Sequence, residues 1–194
     1  MPKTLEISIK VYKILDSDLE NEISLFRKNN AGMQGRKKTK AEIKVHRDKY
    51  WSGKDVAYWI IAFERKNIVG MAVIYKRKLN LNGKKILLGG IGRLRVAMNK
   101  RKQGIGNIIM NFAMTQLSKI NCDVVLLCTD TQSFLVTWYE KFGFALMSKT
   151  ITYLGESGKR YSDNRGMLAP IKSEEIFSQI QNSKEILNIG NGNW

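Results

Sequence analysis

With 194 residues, the chain is long enough for one domain with a sizeable core, and 33 basic residues against 17 acidic give it a formal charge of +16 that favours anionic partners. No uninterrupted apolar run approaches a bilayer span and MPKTLEISIK lacks a signal-peptide core, so the expectation is a soluble, cytoplasmic protein without membrane contact, monomeric or homodimeric. A single histidine, His46, and two cysteines without zinc spacing exclude a metal cluster and a Ser/His/Asp triad.

Leu5, Ile7, Ile9 and Val11 alternate with polar residues and predict a half-buried first strand. Asp16 and Ser17 offer an N-cap for a helix through about Phe26, with Leu19, Ile23 and Phe26 on one face. The most basic stretch, Arg27 to Lys54, follows, with Arg36, Lys37, Lys38 and Lys40 set around Gly32 and Gly35. It reads as a glycine-containing loop and a short helix from Lys40 to Lys49. A solvated loop accounts for it. So does a nucleic-acid surface on which Tyr50, Trp51, Tyr58 and Trp59 would stack bases.

Val56 to Glu64 and Ile68 to Leu79 are aromatic and β-branched runs joined by Arg65-Lys66-Asn67, a hairpin signal. Asn82-Gly83 reverses the chain again and Ile86 to Val96 supplies the next strand. Gly89, Gly90 and Gly92 lie inside that strand, where glycine marks a bulge or a close backbone approach. Next comes LRVAMNKRKQGIG, Leu94 to Gly106, which leads into a helix from Ile105 with Ile105, Ile108, Ile109, Phe112, Ala113 and Leu117 on one stripe. A strand end, a basic turn, two glycines and a helix N-terminus describe a phosphate cradle. Gly104 and Gly106 permit positive φ, the amides of the first helical turn point outward, and Lys100, Arg101 and Lys102 add charge. It is not a Walker A loop, because Asn107 and Ile108 follow Gly106, and not a dinucleotide fingerprint, because Ile109 replaces the third small residue.

Val124 to Cys128 is a short apolar run suited to a central strand covered on both faces; alternation would put Cys122 and Cys128 on one face as reduced core residues. Asp130 to Ser133 then caps a helix that carries Trp138-Tyr139-Glu140-Lys141-Phe142-Gly143-Phe144, with Gly143 suited to its C′ position. Val96-x-Met98 leading to Arg101-x-x-Gly104-x-Gly106, with the Trp138 to Phe144 segment about thirty residues later, resembles the GNAT acetyltransferase superfamily. That resemblance implies an α/β (mixed α+β) fold: a central, mostly antiparallel sheet, splayed between its fourth and fifth strands and flanked by helices. It implies acetyl-CoA as cosubstrate, with no metal. Backbone amides of Lys102, Gln103, Gly104, Ile105, Gly106 and Asn107 would hold the pyrophosphate, with charge from Arg101 and Lys102. Leu94, Arg95 and Val96 would pair with the pantetheine arm, and the strand glycines would fit the opening that admits it. Tyr139 would protonate the departing thiolate.

Beyond Phe144 a strand through Tyr153, a loop from Gly155 to Gly166 and a last strand, Met167 to Ile171, complete a domain over 1–171; Pro170 suggests an edge or a strand end. Residues 172–194 form a C-terminal tail in which Ile176, Ile180 and Leu187 suit a short helix, and which either frays at Trp194 or folds back on the active site. This order of elements and the final tryptophan also resemble the aminoglycoside 2′-N-acetyltransferases. That branch would have a carboxylate where this chain has Gly92, so the proton acceptor must lie elsewhere: Asp130, or the carboxylate of Trp194 in the folded-back tail. Gly92 and Trp194 would face the acceptor. The reading is an N-acetyltransferase acting on a primary amine of a small molecule, aminoglycoside-like or not; an acyltransferase served by an acidic acyl carrier protein, or a non-catalytic nucleic-acid-binding module, are the alternatives.

Overall fold

The structure, a computed structural model, describes residues 6–30, 39–50 and 53–194. Leu5, Trp51 and the basic triplet Arg36-Lys37-Lys38 lie outside the described residues.

A seven-stranded sheet organises the chain. Strands β1 (Ile7–Tyr12), β2 (Val56–Glu64), β3 (Asn67–Leu81) and β4 (Lys84–Val96) form an antiparallel run. The reversal between β3 and β4 uses Asn82 and Gly83 at φ of 50° and 83°, the geometry that a two-residue hairpin turn requires. The sheet continues through β5 (Val124–Cys128), β9 (Gly166–Pro170) and β6 (Ala145–Leu146), in the order β1-β2-β3-β4-β5-β9-β6. Within this sheet, among the described residues, only the β4–β5 contact is parallel. A second sheet of three short strands, β10 (Leu187–Asn191), β7 (Ile151–Leu154) and β8 (Arg160–Asp163), stands beside it.

Helices cover both faces. On one, α1 (Ser17–Asn29) and α5 (Glu174–Asn182) bury Leu19, Ile23, Phe26, Ile176 and Ile180 over Met71, Val73, Leu88 and Leu126. On the other, α3 (Ile105–Lys119) and α4 (Leu135–Glu140) cover Ile60, Ile74, Ile91 and Val125. Asp16 caps α1 by accepting the Leu19 N–H at 2.8 Å, and Thr39 and Glu42 form a reciprocal capping box at α2 (Lys40–Lys49). No helix among the described residues is long and apolar enough to cross a membrane.

The structure corrects several expectations. At about 100° per residue, the stripe Ile105–Ile109–Ala113–Leu117 turns toward Met110, which is fully buried, and away from Ile108, which is 42% exposed. Phe112 is only half-buried. The two cysteines lie on opposite faces of the sheet, because the chain enters β5 through a bend at Asp123, whose carboxylate accepts the Leu87 N–H. Cys122 therefore precedes the strand and packs under α3. The stretch from Phe144 to Tyr153 is not one strand: β6 ends at Leu146, and β7 restarts at Ile151 in the second sheet. Residues 160–163, read as loop, form β8. Strand β9 lies between β5 and β6 and ends on Pro170; the last strand is β10, which takes Leu187 out of the tail helix. Gly143 has φ of 84°, one position beyond the expected C′, since the cap of α4 falls on Lys141.

Candidate active site

Strands β4 and β5 are paired at Leu88–Val124, Gly89–Val125 and Gly90–Leu126, and no further. From Ile91 onward they part. A bulge sharpens the divergence: Val73 opposes Gly92 and Met71 opposes Arg95, with Arg93 at φ of 55° between them. Leu94, Arg95 and Val96 are half-buried on this stretch, whose β5 side carries no strand. It offers its main chain to an extended ligand, as a sheet edge does to an added strand.

The N-terminus of α3 stands at the mouth of this opening. Gly104 is its N-cap, in the left-handed region at φ of 82°, and a Cβ there would meet nothing within 4 Å. Lys102 also has positive φ, 60°, so the turn before the helix curls and its amides converge. Gly106 serves a different purpose. Trp138 of α4 packs on it, with Cζ2 3.3 Å from where a Cβ would be, and the Trp138 Nε1–H donates to Asn107 Oδ1 at 2.8 Å. Helix α4 is thereby docked on the cradle. The Arg101 Nε–H donates to the Val96 carbonyl at 3.4 Å and Gln103 to that of Asn99 at 3.2 Å, which shapes the turn, while Lys102 is exposed. Lys100 is committed elsewhere, to Glu64 at 2.6 Å.

Tyr139 lies one residue beyond Trp138, 8% exposed, with its ring edge-on to Phe144. Burial pushes its phenol up to about 12, so it is neutral and a hydrogen-bond donor throughout the neutral range. Asp130, two residues past β5, is exposed, and its Oδ1 accepts the Gln132 N–H at 3.0 Å.

On the opposite face of the opening stands Trp194. The segment 187–194 is held against the sheet by Arg77, a β3 guanidinium that is 9% exposed. Arg77 pairs with Asp55 and donates to the carbonyls of Ile189, Asn191 and Gly192. Gly90 and Gly92 lack side chains because this tryptophan lies on them: a Cβ at Gly90 would collide with the indole, and one at Gly92 would be 3.1 Å from the Trp194 carbonyl carbon. Gly89 gives way to Leu117 of α3 instead. Two of the three strand glycines thus accommodate the tail: the sequence reading has the tail folding back toward Gly92, but gives the room at the glycines to the pantetheine arm.

Sequence reasoning also missed the charges of this face. Arg95 donates to the Arg27 carbonyl at 2.7 Å, and the Arg93 guanidinium lies 5.5 Å from the Trp59 ring. Among the described residues none of the three arginines forms an ion pair. Burial, with Arg93 and Arg95 nearby, lowers the pKa of Arg27; burial and Arg101 lower that of Arg95. Arg77 had one legible signal, a charge on the same strand phase as buried Tyr75. The arginine cluster had none, since its members come from α1 and from the β4 bulge. Farther out, a groove of about 700 Å³ separates Lys40, Lys44 and Arg47 of α2 from Glu156 and Tyr161.

Residues 18–147 match the family model described as an acetyltransferase (GNAT) domain, about two thirds of the chain. The chain belongs to the GNAT acetyltransferase family. Among solved structures, a GNAT family N-acetyltransferase from Escherichia coli in complex with CoA is similar over 98% of this chain and 92% of that one, with a TM-score of 0.60 and 14% identity. A GNAT acetyltransferase from Brucella melitensis in complex with acetyl-CoA is similar over 71% and 83%, with a TM-score of 0.52 and 18% identity. Eis1 from Mycobacterium abscessus is similar over 75% of this chain but 32% of its own length, with a TM-score of 0.50 and 14% identity. Curated proteins give no match. The parting of the fourth and fifth strands in front of the α3 N-terminus is therefore the GNAT opening, built here from Gly90–Leu126 outward.

Proposed function

We propose that this GNAT protein moves an acetyl group from acetyl-CoA to a primary amine of a small molecule. The observation that supports the reading is the cradle beside the opening: the αL Gly104 and the first-turn amides of α3, the stretch of β4 that β5 leaves unpaired, and Tyr139 in the same apolar cluster as Leu94 and Val96. Amides of 102–107 and the charges of Arg101 and Lys102 suit a pyrophosphate. The main chain of Leu94, Arg95 and Val96 suits the amides of a pantetheine arm.

In the reaction a nitrogen–carbon bond forms as the carbon–sulfur bond breaks. An alkyl ammonium must first lose a proton, since its free pKa is about ten. Asp130 is assigned that proton, at the exposed end of β5 where it can be passed to water. Tyr139 serves the departing sulfur. With its phenol at about 12 against an ordinary thiol near 8.5, full proton transfer is uphill, so its contribution is a hydrogen bond to the charge that develops on sulfur. Arg27, Arg93 and Arg95 make the acceptor side cationic, which disfavours a polycationic aminoglycoside. A screen of amines against acetyl-CoA, read as release of free thiol, tests the assignment. Thiol release with several amines and not with alcohols is the expected result; titration calorimetry showing no binding of acetyl-CoA would refute it.

A further inference from the structure

The tail places its heaviest side chain where the two strands begin to part. Trp194 is 8% exposed, and its Nε1–H donates to the carbonyl of Leu126, the last β5 residue paired with β4, at 3.3 Å. The Nε1 edge of the indole occupies the space a side chain at Gly90, the matching last paired residue of β4, would take. It is stacked on Tyr75, with centroids 5.4 Å apart and planes 10° from parallel, and the Arg77 guanidinium covers it at 4.5 Å. Asn193, fully buried, accepts the Trp194 N–H at 2.9 Å and fixes the main chain behind it. Three elements thus hold one ring in one place.

That place is the blind end of the opening. A thioester arm entering from the α3 cradle along Leu94–Val96 has β4 on one side and reaches the closed Gly90–Leu126 pair at the apex. On the face away from Tyr139, a group attached to its sulfur meets the indole. We propose that Trp194 is a specificity-determining residue, the stop that confines the transferred group to acetyl size. The inference rests on the coenzyme reading above and adds which acyl group is accepted. A rigid ring stacked on Tyr75 and covered by the Arg77 guanidinium cannot move aside as a flexible methionine or leucine would, and extra methylenes forced against a packed wall are rejected.

The test is titration calorimetry of the full chain with free CoA, acetyl-CoA and hexanoyl-CoA, comparing the natural sequence with Trp194→Ala and Trp194→Phe. The natural chain is expected to bind CoA and acetyl-CoA alike and hexanoyl-CoA at least about tenfold more weakly. Trp194→Ala is expected to erase that difference by tightening hexanoyl-CoA alone, and Trp194→Phe to restore part of it. Should the alanine variant not fold, Trp194→Leu replaces it with the same expectation. Natural protein that binds hexanoyl-CoA as tightly as acetyl-CoA overturns the proposal, as does a variant that weakens all three ligands equally, the mark of a merely structural tryptophan. Natural protein that binds none of the three refutes the coenzyme reading itself, and the stop falls with it.

Discussion

The two cradle glycines are glycines for different reasons, and substitution separates them. Gly104 needs its φ of 82°, where an L side chain costs about 1–2 kcal/mol, although a Cβ there would find open space. Gly106 sits inside helix α3 and needs room for Trp138. Gly104→Ala therefore strains the turn that aims the amides, and Gly104→Asp adds a negative charge against the expected pyrophosphate. The aspartate variant is expected to abolish CoA binding in titration calorimetry, and the alanine variant to weaken it; undiminished affinity in both would remove the cradle from the coenzyme site. Tyr139 is argued on other grounds. Its phenol is held near 12 by burial, so it contributes a donor and no titration between pH 6 and 10. Tyr139→Phe is expected to lower turnover by about a hundred- to ten-thousand-fold while the CoA dissociation constant stays nearly unchanged, because the hydrogen bond strengthens only as charge develops on sulfur. A phenylalanine variant with full turnover would assign that role to water.

Two elements are anchored in part by one polar side chain each, and both anchors can be cut. Arg77 binds Asp55 and three carbonyls of 189–192, so removing it leaves a half-buried carboxylate and buried carbonyls uncompensated. Arg77→Ala is expected to cost about 3–5 kcal/mol, seen as a lower denaturation midpoint, and Arg77→Lys to recover little, because an ammonium lacks the planar fork that reaches several acceptors. Full stability in the lysine variant would contradict this account. Helix α2 is tied to the β7–β8 turn by Asp48, which accepts from the Tyr161 hydroxyl at 2.6 Å and the Ser157 N–H at 2.7 Å. The Tyr161 bond first, then that from Ser157, lowers the Asp48 pKa. A depressed folded-state value means that the tie is present above the ordinary carboxylate range, near 3.9, and is lost as pH falls below it. The Ser157 amide is expected to be protected from exchange at pH 5 to 8, and Asp48→Asn to expose it there. The strands β2 to β4 and the start of α3 were legible because their signals are local: aromatic and β-branched runs, Asn82-Gly83, a glycine before an apolar stripe. What joins distant segments left no such trace. The second sheet, the break after Leu146 and the seat of Trp194 depend on contacts between β3, β4 and residues 187–194, more than a hundred positions apart for Arg77. The glycines were read as room for a ligand because nothing in their neighbourhood announces a tryptophan from the far end of the chain.

At the scale of the molecule the formal charge of +16 acquires a direction. Three carboxylates are spent in ion pairs, Glu64 on Lys100, Asp55 on Arg77 and Asp163 on Arg165, which leaves exposed Asp130 at the end of β5. Arg27, Arg93 and Arg95, without an ion pair among the described residues, lie on what the proposed function makes the acceptor side of the opening, and Lys40, Lys44 and Arg47 line the outer groove opposite Asp48 and Glu156. An approaching polycation meets repulsion along this whole route, whereas an amine that carries a carboxylate or phosphate is drawn in. The preference belongs to long-range fields, so it depends on screening: the Debye length falls from about 30 Å at 0.01 M salt to about 3 Å at 1 M. Once an acceptor is in hand, kcat/KM at low salt is expected to favour an anion-bearing amine over an aminoglycoside by about tenfold or more, within the range that steering produces. Added salt is expected to close the gap, chiefly through loss of the anionic substrate's advantage. Arg27→Gln with Arg93→Gln should narrow it at low salt without altering CoA affinity, since neither side chain belongs to the cradle. Equal use of both substrates at every salt concentration would show that the charge is a solvated coat, and that acceptor choice is made by contacts inside the opening.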